Sequence, residues 1–401
     1  MVFYSQLEEL LPLDDFANVY SIGVTGKISN NKVFVIVDNF RFGGAQRLAI
    51  DQALMIADAE EHESIFICSM AINGMNQDSN FIDIEYSRIF DKNIVLIEAS
   101  KSNYSSSWKF LSNLHTTYQL SNSRVLSHSL RATLILRIYS ILLHFRFRQL
   151  VTFIHQMPRF ASKLQRIKRI FYVQSSQQLF IFSQMALEEW EKTYRIASFF
   201  LRKKPKVLRN GIFLPRLPIV KKDILNIKQN LRIVRLSRNV NWKNSISVSE
   251  LSKTAHRRGI KFEFLLMTSM LDESEIEGIR AGLKHRIEIV VGKGIDAYQP
   301  KTGDVHIYPT NYGSDVLNGE SVSINCLEMA ALGIPSLVSR YSKTWTELFE
   351  LGIIEVCDFN SIDLVLNKLL IISKRDFSAN LVDIRKIVNI ENQIQKLKLL
   401  E

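Results

Sequence analysis

Glu320 and Glu328, two carboxylates with seven residues between them, are the residues of this sequence best spaced to do chemistry. A short apolar run, Val305 to Tyr308, precedes them and is closed by Pro309, after which comes a polar, glycine-bearing loop. An apolar helical stretch then starts near Ser323 and stops at Gly333, with Pro335 behind it. Ser336 to Ser339 reads as another strand. Strand, loop, helix, strand is the unit of a parallel α/β sheet. Glu320 then falls in the loop and Glu328 about one turn inside the helix. Between them lie the free N–H groups of the helix start, which favour an anion. The two acids are about 10 Å apart at ~1.5 Å per helical residue, a span suited to a sugar, a diphosphate and a ribose in series. A Glu pair at this spacing also fits a solvated helix face, but the small-residue helix and its Gly-x-Pro stop favour a site.

Three further patches follow predicted strands. Gly43-Gly44-Ala45-Gln46-Arg47 comes after a buried-type run, Lys32 to Val37, and opens a helix. Two glycines let backbone approach a phosphate, and the helix start favours negative charge. The Gly-x-Gly-x-x-Gly spacing of a dinucleotide site is missing, which disfavours a nicotinamide cofactor. Arg238 and Lys243 follow the strand Leu231 to Ser237 and could grip one diphosphate from two sides, a planar fork and a point charge. Arg235 is a rival cation but lies inside the strand. Val151 to Ile154 ends in His155, whose neutral imidazole or backbone carbonyl could bind a sugar hydroxyl. His128, after Val125 to Ser127, is a weaker candidate of the same kind.

The segment from Glu320 to Pro335 resembles the signature of the retaining family 4 glycosyltransferases, which have the two-domain GT-B architecture. Glu328-Met329-Ala330-Ala331-Leu332-Gly333-Ile334-Pro335 matches the helix half closely, while Ser323 stands where the family usually has a second glycine. Gly43-Gly44-Ala45-Gln46-Arg47 is similar to the Gly-Gly-Ala-Glu-Arg start of the amino-terminal domain, with Gln46 for Glu. Arg238 and Lys243 match the family's two cations, with Ser237 for Gly, and Asn210-Gly211 is similar to its Pro-Asn-Gly turn. The resemblance spans residues 31–400. It implies retaining, metal-independent transfer of a glycosyl group from a nucleotide-diphosphate sugar to a saccharide or lipid-linked acceptor. It implies Arg238, Lys243 and Glu320 as catalytic residues. Gly43, Gly44, His155, Ser321, Val322, Ser323, Ile324 and Glu328 would bind the donor, with Glu320 on the sugar hydroxyls and Glu328 on the ribose. The departures at Gln46, Ser237 and Ser323 keep open a GT-B-shaped protein that binds a sugar nucleotide or a partner without turning it over.

The elements that must position these residues alternate strand and helix in both halves. That pattern predicts two doubly wound, Rossmann-like α/β domains facing across a cleft, with ligands at the carboxyl ends of the strands. A length of 401 residues fits two domains of about 150–200 residues each. The expected division is an extension at 1–30 with no clear period, an amino-terminal domain at 31–205 on the acceptor and membrane side, and a linker at 206–230. A donor domain follows at 231–380, and a terminal helix at 381–401 packs back on the first domain. Three scattered cysteines, Cys68, Cys326 and Cys357, make neither a disulfide framework nor a metal set, and no carboxylate cluster demands a metal cofactor. Glu8, Glu9, Asp14 and Asp15 interrupt any leader, and Ala132 to Phe145 is too short to span a bilayer and is broken by Arg137. A cytoplasmic protein, peripheral on the cytoplasmic face of a membrane, is expected. Residues 131–206 carry fifteen basic residues against three acids, which accounts for the whole net charge of +11. Apolar residues interleave with these cations, which suits an anionic membrane surface. No nucleic-acid-binding motif accompanies the charge, so nucleic acid is not expected as a partner.

Overall fold

The computed structural model describes residues 17–22, 31–40, 44–59, 64–70, 94–99, 104–155, 170–171, 175–195, 204–218, 231–236, 248–268, 273–291, 295–309, 322–339 and 341–397. The chain divides into two compact units: residues 1–182, 186–208 and 394–401 form the first, and residues 183–185 and 209–393 the second.

Unit 1 is built on an eight-stranded sheet. Its strands are β1 (Ala17–Ile22), β2 (Lys32–Val37), β3 (Ser64–Ser69), β4 (Ile94–Ala99), β5 (Arg124–Ser127), β6 (Gln149–Ile154), β7 (Gln178–Ile181) and β8 (Lys206–Val207). Their order is β1-β4-β3-β2-β5-β6-β7-β8. Every pairing is parallel except β1 with β4. The helices are α1 (Gly44–Ala59), α2 (Tyr104–Tyr118), α3 (Leu130–Leu142) and α4 (Gln184–Thr193). Strands β3 and β4 are buried at every residue, as a parallel sheet covered on both faces requires. One face packs Phe34, Phe66 and Val125 against Phe110, Leu114 and Tyr118 of α2 and Ala132 and Leu136 of α3. The Phe34 and Phe66 rings stack at 4.9 Å. Residues 17–22 correct the reading of 1–30 as an aperiodic extension, since they form the edge strand β1. A register shift between Val19 and Ser21 breaks its alternation and hides the strand from a period-two reading.

Unit 2 is an all-parallel sheet of β9 (Leu231–Leu236), β10 (Phe262–Thr268), β11 (Arg286–Val291), β12 (Asp304–Tyr308), β13 (Ser336–Val338) and β14 (Ile354–Val356), in the order β11-β10-β9-β12-β13-β14. Around it lie α5 (Val248–Arg257), α6 (Glu273–Ala281), α7 (Ile324–Ala331), α8 (Thr346–Glu350), α9 (Ile362–Ile372) and α10 (Leu381–Val388), followed by α11 (Glu391–Lys396). At the amino ends of β9 and β12, Arg232 sits opposite Asp304 in register and grips it bidentately, Nε to Oδ1 at 2.7 Å and a terminal nitrogen to Oδ2 at 2.6 Å. Tyr298 OH and the Lys301 N–H also donate to Oδ2. Both charges are thus paired and further hydrogen-bonded, the condition under which a buried pair is tolerated; losing one partner would cost about 3–5 kcal/mol.

Residues 206–230, read as a linker, divide in the structure: β8 completes the first sheet, and Arg209 to Pro218 run with unit 2. Gly211 passes so close to the end of α10 that a Cβ there would sit 2.4 Å from Ile390 Cα. Ile212 then bridges to Asn389, accepting from the Ile390 N–H and donating to the Val388 carbonyl. This exchange takes backbone groups that a continuous helix would use, so the described residues 381–397 hold two helices rather than one. The chain beyond residue 393 counts with unit 1, where Gln149 Nε2 donates to the Leu397 carbonyl at 3.1 Å.

Each sheet has one place where the strand order reverses, between β2 and β5 in unit 1 and between β9 and β12 in unit 2. Ligands of doubly wound sheets bind at the carboxyl ends of the strands at such switch points.

Candidate functional site

In unit 2 the carboxyl edge is organised by α7. Ser323 is its N-cap: the backbone there is extended, and Oγ accepts from the Cys326 N–H at 3.3 Å. One residue into the helix, Asn325 Nδ2 donates to the Leu236 carbonyl at the end of β9, at 2.6 Å. This bond ties the helix start to the switch-point strand. The other end closes with Gly333 in the left-handed region (φ +77°), the Ile334 N–H on the Met329 carbonyl and the Gly333 N–H on the Ala330 carbonyl. Val322 and Ile324 are buried beside the cap. Arg238, Lys243, Glu320 and Ser321 lie outside the described residues, as does Gly43 of unit 1.

Glu328 stands differently from the ribose ligand that the resemblance implies. None of its side chain reaches solvent, and Oε1 accepts from the guanidinium of Arg216, itself buried, on a short 3-10 turn at Leu214–Arg216. Sequence reading missed Arg216. A Pro-bracketed arginine in a basic stretch resembles a solvated loop cation, and only the fold brings it to the helix. Arg235 is buried inside β9, and burial pushes its guanidinium down to about 10, still cationic at neutral pH.

In unit 1 the switch-point edge gathers polar groups from three neighbouring strands. Asp38 follows the last residue of β2. Burial raises its carboxyl above the ordinary range, opposed by a hydrogen bond from Ser129 and the charge of Arg131. Sequence reading passed over Asp38 too, although its place as the first acid after a buried strand was a usable signal. Gly44 opens α1 with its surface exposed, and Gln46 Nε2 donates to Asn39 Oδ1 at 2.9 Å across the loop. His128 follows β5, is buried, and donates its backbone N–H to the Ile36 carbonyl of β2 at 2.7 Å. His155 follows β6 and is solvent-exposed. The structure brings the two imidazoles together, His128 Nδ1 to His155 Nε2 at 2.8 Å, with His128 Nε2 against Gln52 Oε1 of α1 at 3.0 Å. Phe153 stacks on His128 and Phe182 leans on His155. Burial and the neighbouring imidazole hold His128 below the ordinary histidine range, and the rings of His128 and Phe182 packed on the His155 imidazole desolvate it and lower it too, so both are neutral at pH 7.

Among the described residues no group of three or more His, Cys, Asp or Glu could hold a metal ion, and all three cysteines are free and buried. Nor is any described helix long and apolar enough to cross a membrane. This edge of unit 1 offers hydrogen-bond acceptors, and the α7 start offers backbone donors.

Two outcomes are expected. Glu328→Ala should destabilise the protein by about 3–5 kcal/mol in urea denaturation, because it strands the buried Arg216 charge. Glu328→Leu combined with Arg216→Met should recover most of that loss. A single-variant loss below about 1 kcal/mol would remove the pair from the fold's supports. For the histidines, the folded state binds fewer protons than the unfolded chain below pH ~6.5. Stability should therefore be full above that pH and decline as pH falls below it, by at most about 1.4 kcal/mol per pH unit for one linked proton. Comparison of thermal melts at pH 7.5 and 5.5 should show a smaller decline in His128→Gln than in the native chain, and equal declines would refute the linkage.

No family model matches the sequence, and no curated protein matches it. Solved structures do. HepE from Anabaena, in complex with UDP and glucose, superimposes with a TM-score of 0.62 at 12% identity, over 92% of this chain and 98% of that one. A glycosyltransferase from Rickettsia africae gives 0.65 at 12% identity, over 92% and 97%. WaaG, a glycosyltransferase involved in lipopolysaccharide biosynthesis, gives 0.54 at 13% identity, over 85% and 90%. At such identities the likeness speaks for the architecture: two doubly wound α/β units, the GT-B fold of these glycosyltransferases.

Proposed function

We propose that this protein is a retaining, metal-independent glycosyltransferase of the family 4 type that moves a sugar from a nucleotide-diphosphate donor to a saccharide or lipid-linked acceptor. The observation that carries the reading is the capped start of α7, tied by Asn325 to the end of β9 at the switch point of unit 2. A helix start, with its backbone N–H groups and partial positive charge, suits a diphosphate. HepE, which shares the fold, was crystallised with UDP-glucose. In the proposed mechanism Arg238, Lys243 and those amides stabilise charge building on the departing diphosphate, the kind of preorganised stabilisation that supplies the largest share of many rate enhancements. Glu320 holds the donor-sugar hydroxyls. The acceptor hydroxyl attacks the anomeric carbon from the face the diphosphate leaves, and its proton passes to the leaving phosphate oxygen, so no protein base is needed. His155 accepts from a sugar hydroxyl at the edge of unit 1. With Glu328 held by Arg216, the ribose role falls to Glu328 only if that pair opens.

The departures at Gln46, Ser237 and Ser323 favour a second reading, in which the chain binds a sugar nucleotide without turnover. One experiment separates them. A panel of sugar nucleotides is screened by thermal shift, where a ligand at 100 times its dissociation constant adds about 2.7 kcal/mol; the best donor is then assayed for hydrolysis and transfer. Lys243→Ala and Glu320→Ala should each lower turnover about 100-fold or more. Binding with no turnover against any saccharide or lipid-linked acceptor favours the binder, and no binding at all overturns both.

A peripheral place on the cytoplasmic face of a membrane, in surface polysaccharide or lipopolysaccharide synthesis, is part of the same proposal. Its support is the far end of α3, where Ile138, Ile141, Leu142 and Leu143 are 40–61% exposed beside the exposed Arg146 and Arg148. Helix α3 begins at the histidine edge and ends at the opposite edge of the sheet, about 20 Å away at ~1.5 Å per residue. A bilayer docked there would favour an acceptor already extended by several sugars. Vesicles with anionic lipid should retain the native protein in flotation. Ile141→Glu with Leu142→Glu should lose binding about tenfold or more, and equal retention would remove this surface from the proposal.

A further inference from the structure

The histidine pair carries an inference that deepens the proposed function and rests on it. His128 Nε2 faces Gln52 Oε1, which can only accept, so the His128 proton belongs on Nε2. A neutral His128 then has only a lone pair at Nδ1. The 2.8 Å contact from that atom to His155 Nε2 is a hydrogen bond only if His155 Nε2 carries the proton. A neutral His155 is thereby left with a lone pair at Nδ1. Among the described residues nothing bonds to that atom, and the residue is exposed. Gln52 lies fully buried in α1, so the anchor of the chain is set by packing, and the Phe153 stack keeps the His128 ring in plane.

We propose that Gln52 and His128 are positioning residues which fix His155 as the tautomer protonated on Nε2, so that its Nδ1 is an obligate acceptor for a hydroxyl of the sugar. Such an atom welcomes a hydroxyl or an amide and repels a phosphate oxygen, which is itself an acceptor. The edge of unit 1 is thus tuned to the carbohydrate part of a sugar nucleotide rather than to its diphosphate. Burial and the neighbouring ring hold His128 neutral, and desolvation by the rings packed on it holds His155 neutral, which keeps the arrangement intact at physiological pH.

Histidine-selective ¹⁵N labelling with long-range ¹H–¹⁵N correlation at pH 7.5 reads the tautomer directly, without any ligand. His155 should show a protonated, slowly exchanging Nε2 and an unprotonated Nδ1. Gln52→Glu, whose carboxylate also only accepts, should preserve that signature. His128→Phe, which keeps a stacking ring but offers no acceptor, should lose the slow Nε2–H. A His155 protonated on Nδ1 in the native chain, or a signature unchanged in His128→Phe, overturns the relay. Addition of UDP-glucose should then move the Nδ1 resonance where UDP alone does not. His128→Phe should weaken UDP-glucose about tenfold, the scale of one hydrogen bond, with UDP unaffected. An intact relay whose Nδ1 ignores bound UDP-glucose overturns the sugar contact, whereas an intact relay in a protein that binds no sugar nucleotide places the failure in the proposed function.

Discussion

A parallel sheet covered on both faces cannot host polar chemistry along its strands, because each strand is sealed by helices above and below. In this chain the constraint is nearly complete in unit 1, where β3 and β4 show no residue to solvent. Polar groups are therefore pushed to the strand ends, and the two ends serve different purposes. At the amino edge of unit 2, Arg232 and Asp304 close on each other, and the carboxylate accepts four hydrogen bonds in all. At the carboxyl edges stand Asp38, His128 and His155 in unit 1, and Ser323 and Asn325 in unit 2. The first arrangement consumes its own charge. The second leaves an imidazole nitrogen with capacity to spare.

The same logic separates the two glutamates that looked equivalent by spacing. A carboxylate one turn inside α7 lies beneath the surface of a helix whose every residue but Asn325 is buried. It must be paired, and the fold supplies Arg216 from a turn more than a hundred positions earlier. The pair's Coulomb gain roughly offsets its desolvation, so its contribution is specificity of placement more than net stability. It holds the helix, and hence the N-terminal amides, against the turn at Leu214–Arg216.

Much of the architecture was legible because its signals are local. Buried strands such as Lys32–Val37 are nearly continuous apolar runs, and α7 is bracketed by a serine cap and a Gly-x-Pro stop. The edge strand β1 was not legible, since its bulge destroys the alternation that would announce it. Nor were Arg216 and Gln52, whose roles depend on partners far away in the chain. His155 could be read as a strand-end histidine, but its tautomer could not. The proton's location is set by Gln52, more than a hundred residues upstream, through His128.

The two edges, each considered alone, have opposite hydrogen-bonding character, and this bears on what each can hold. The α7 start presents N–H groups and a partial positive charge, suited to phosphate oxygens that have only lone pairs. The edge of unit 1 presents the carboxylate of Asp38 and the Nδ1 lone pair of His155, suited to hydroxyls that carry protons. Taken one at a time, the α7 start suits an acceptor-rich group such as a diphosphate, and the unit 1 edge suits a hydroxyl-rich group such as a sugar and disfavours a chain of phosphates.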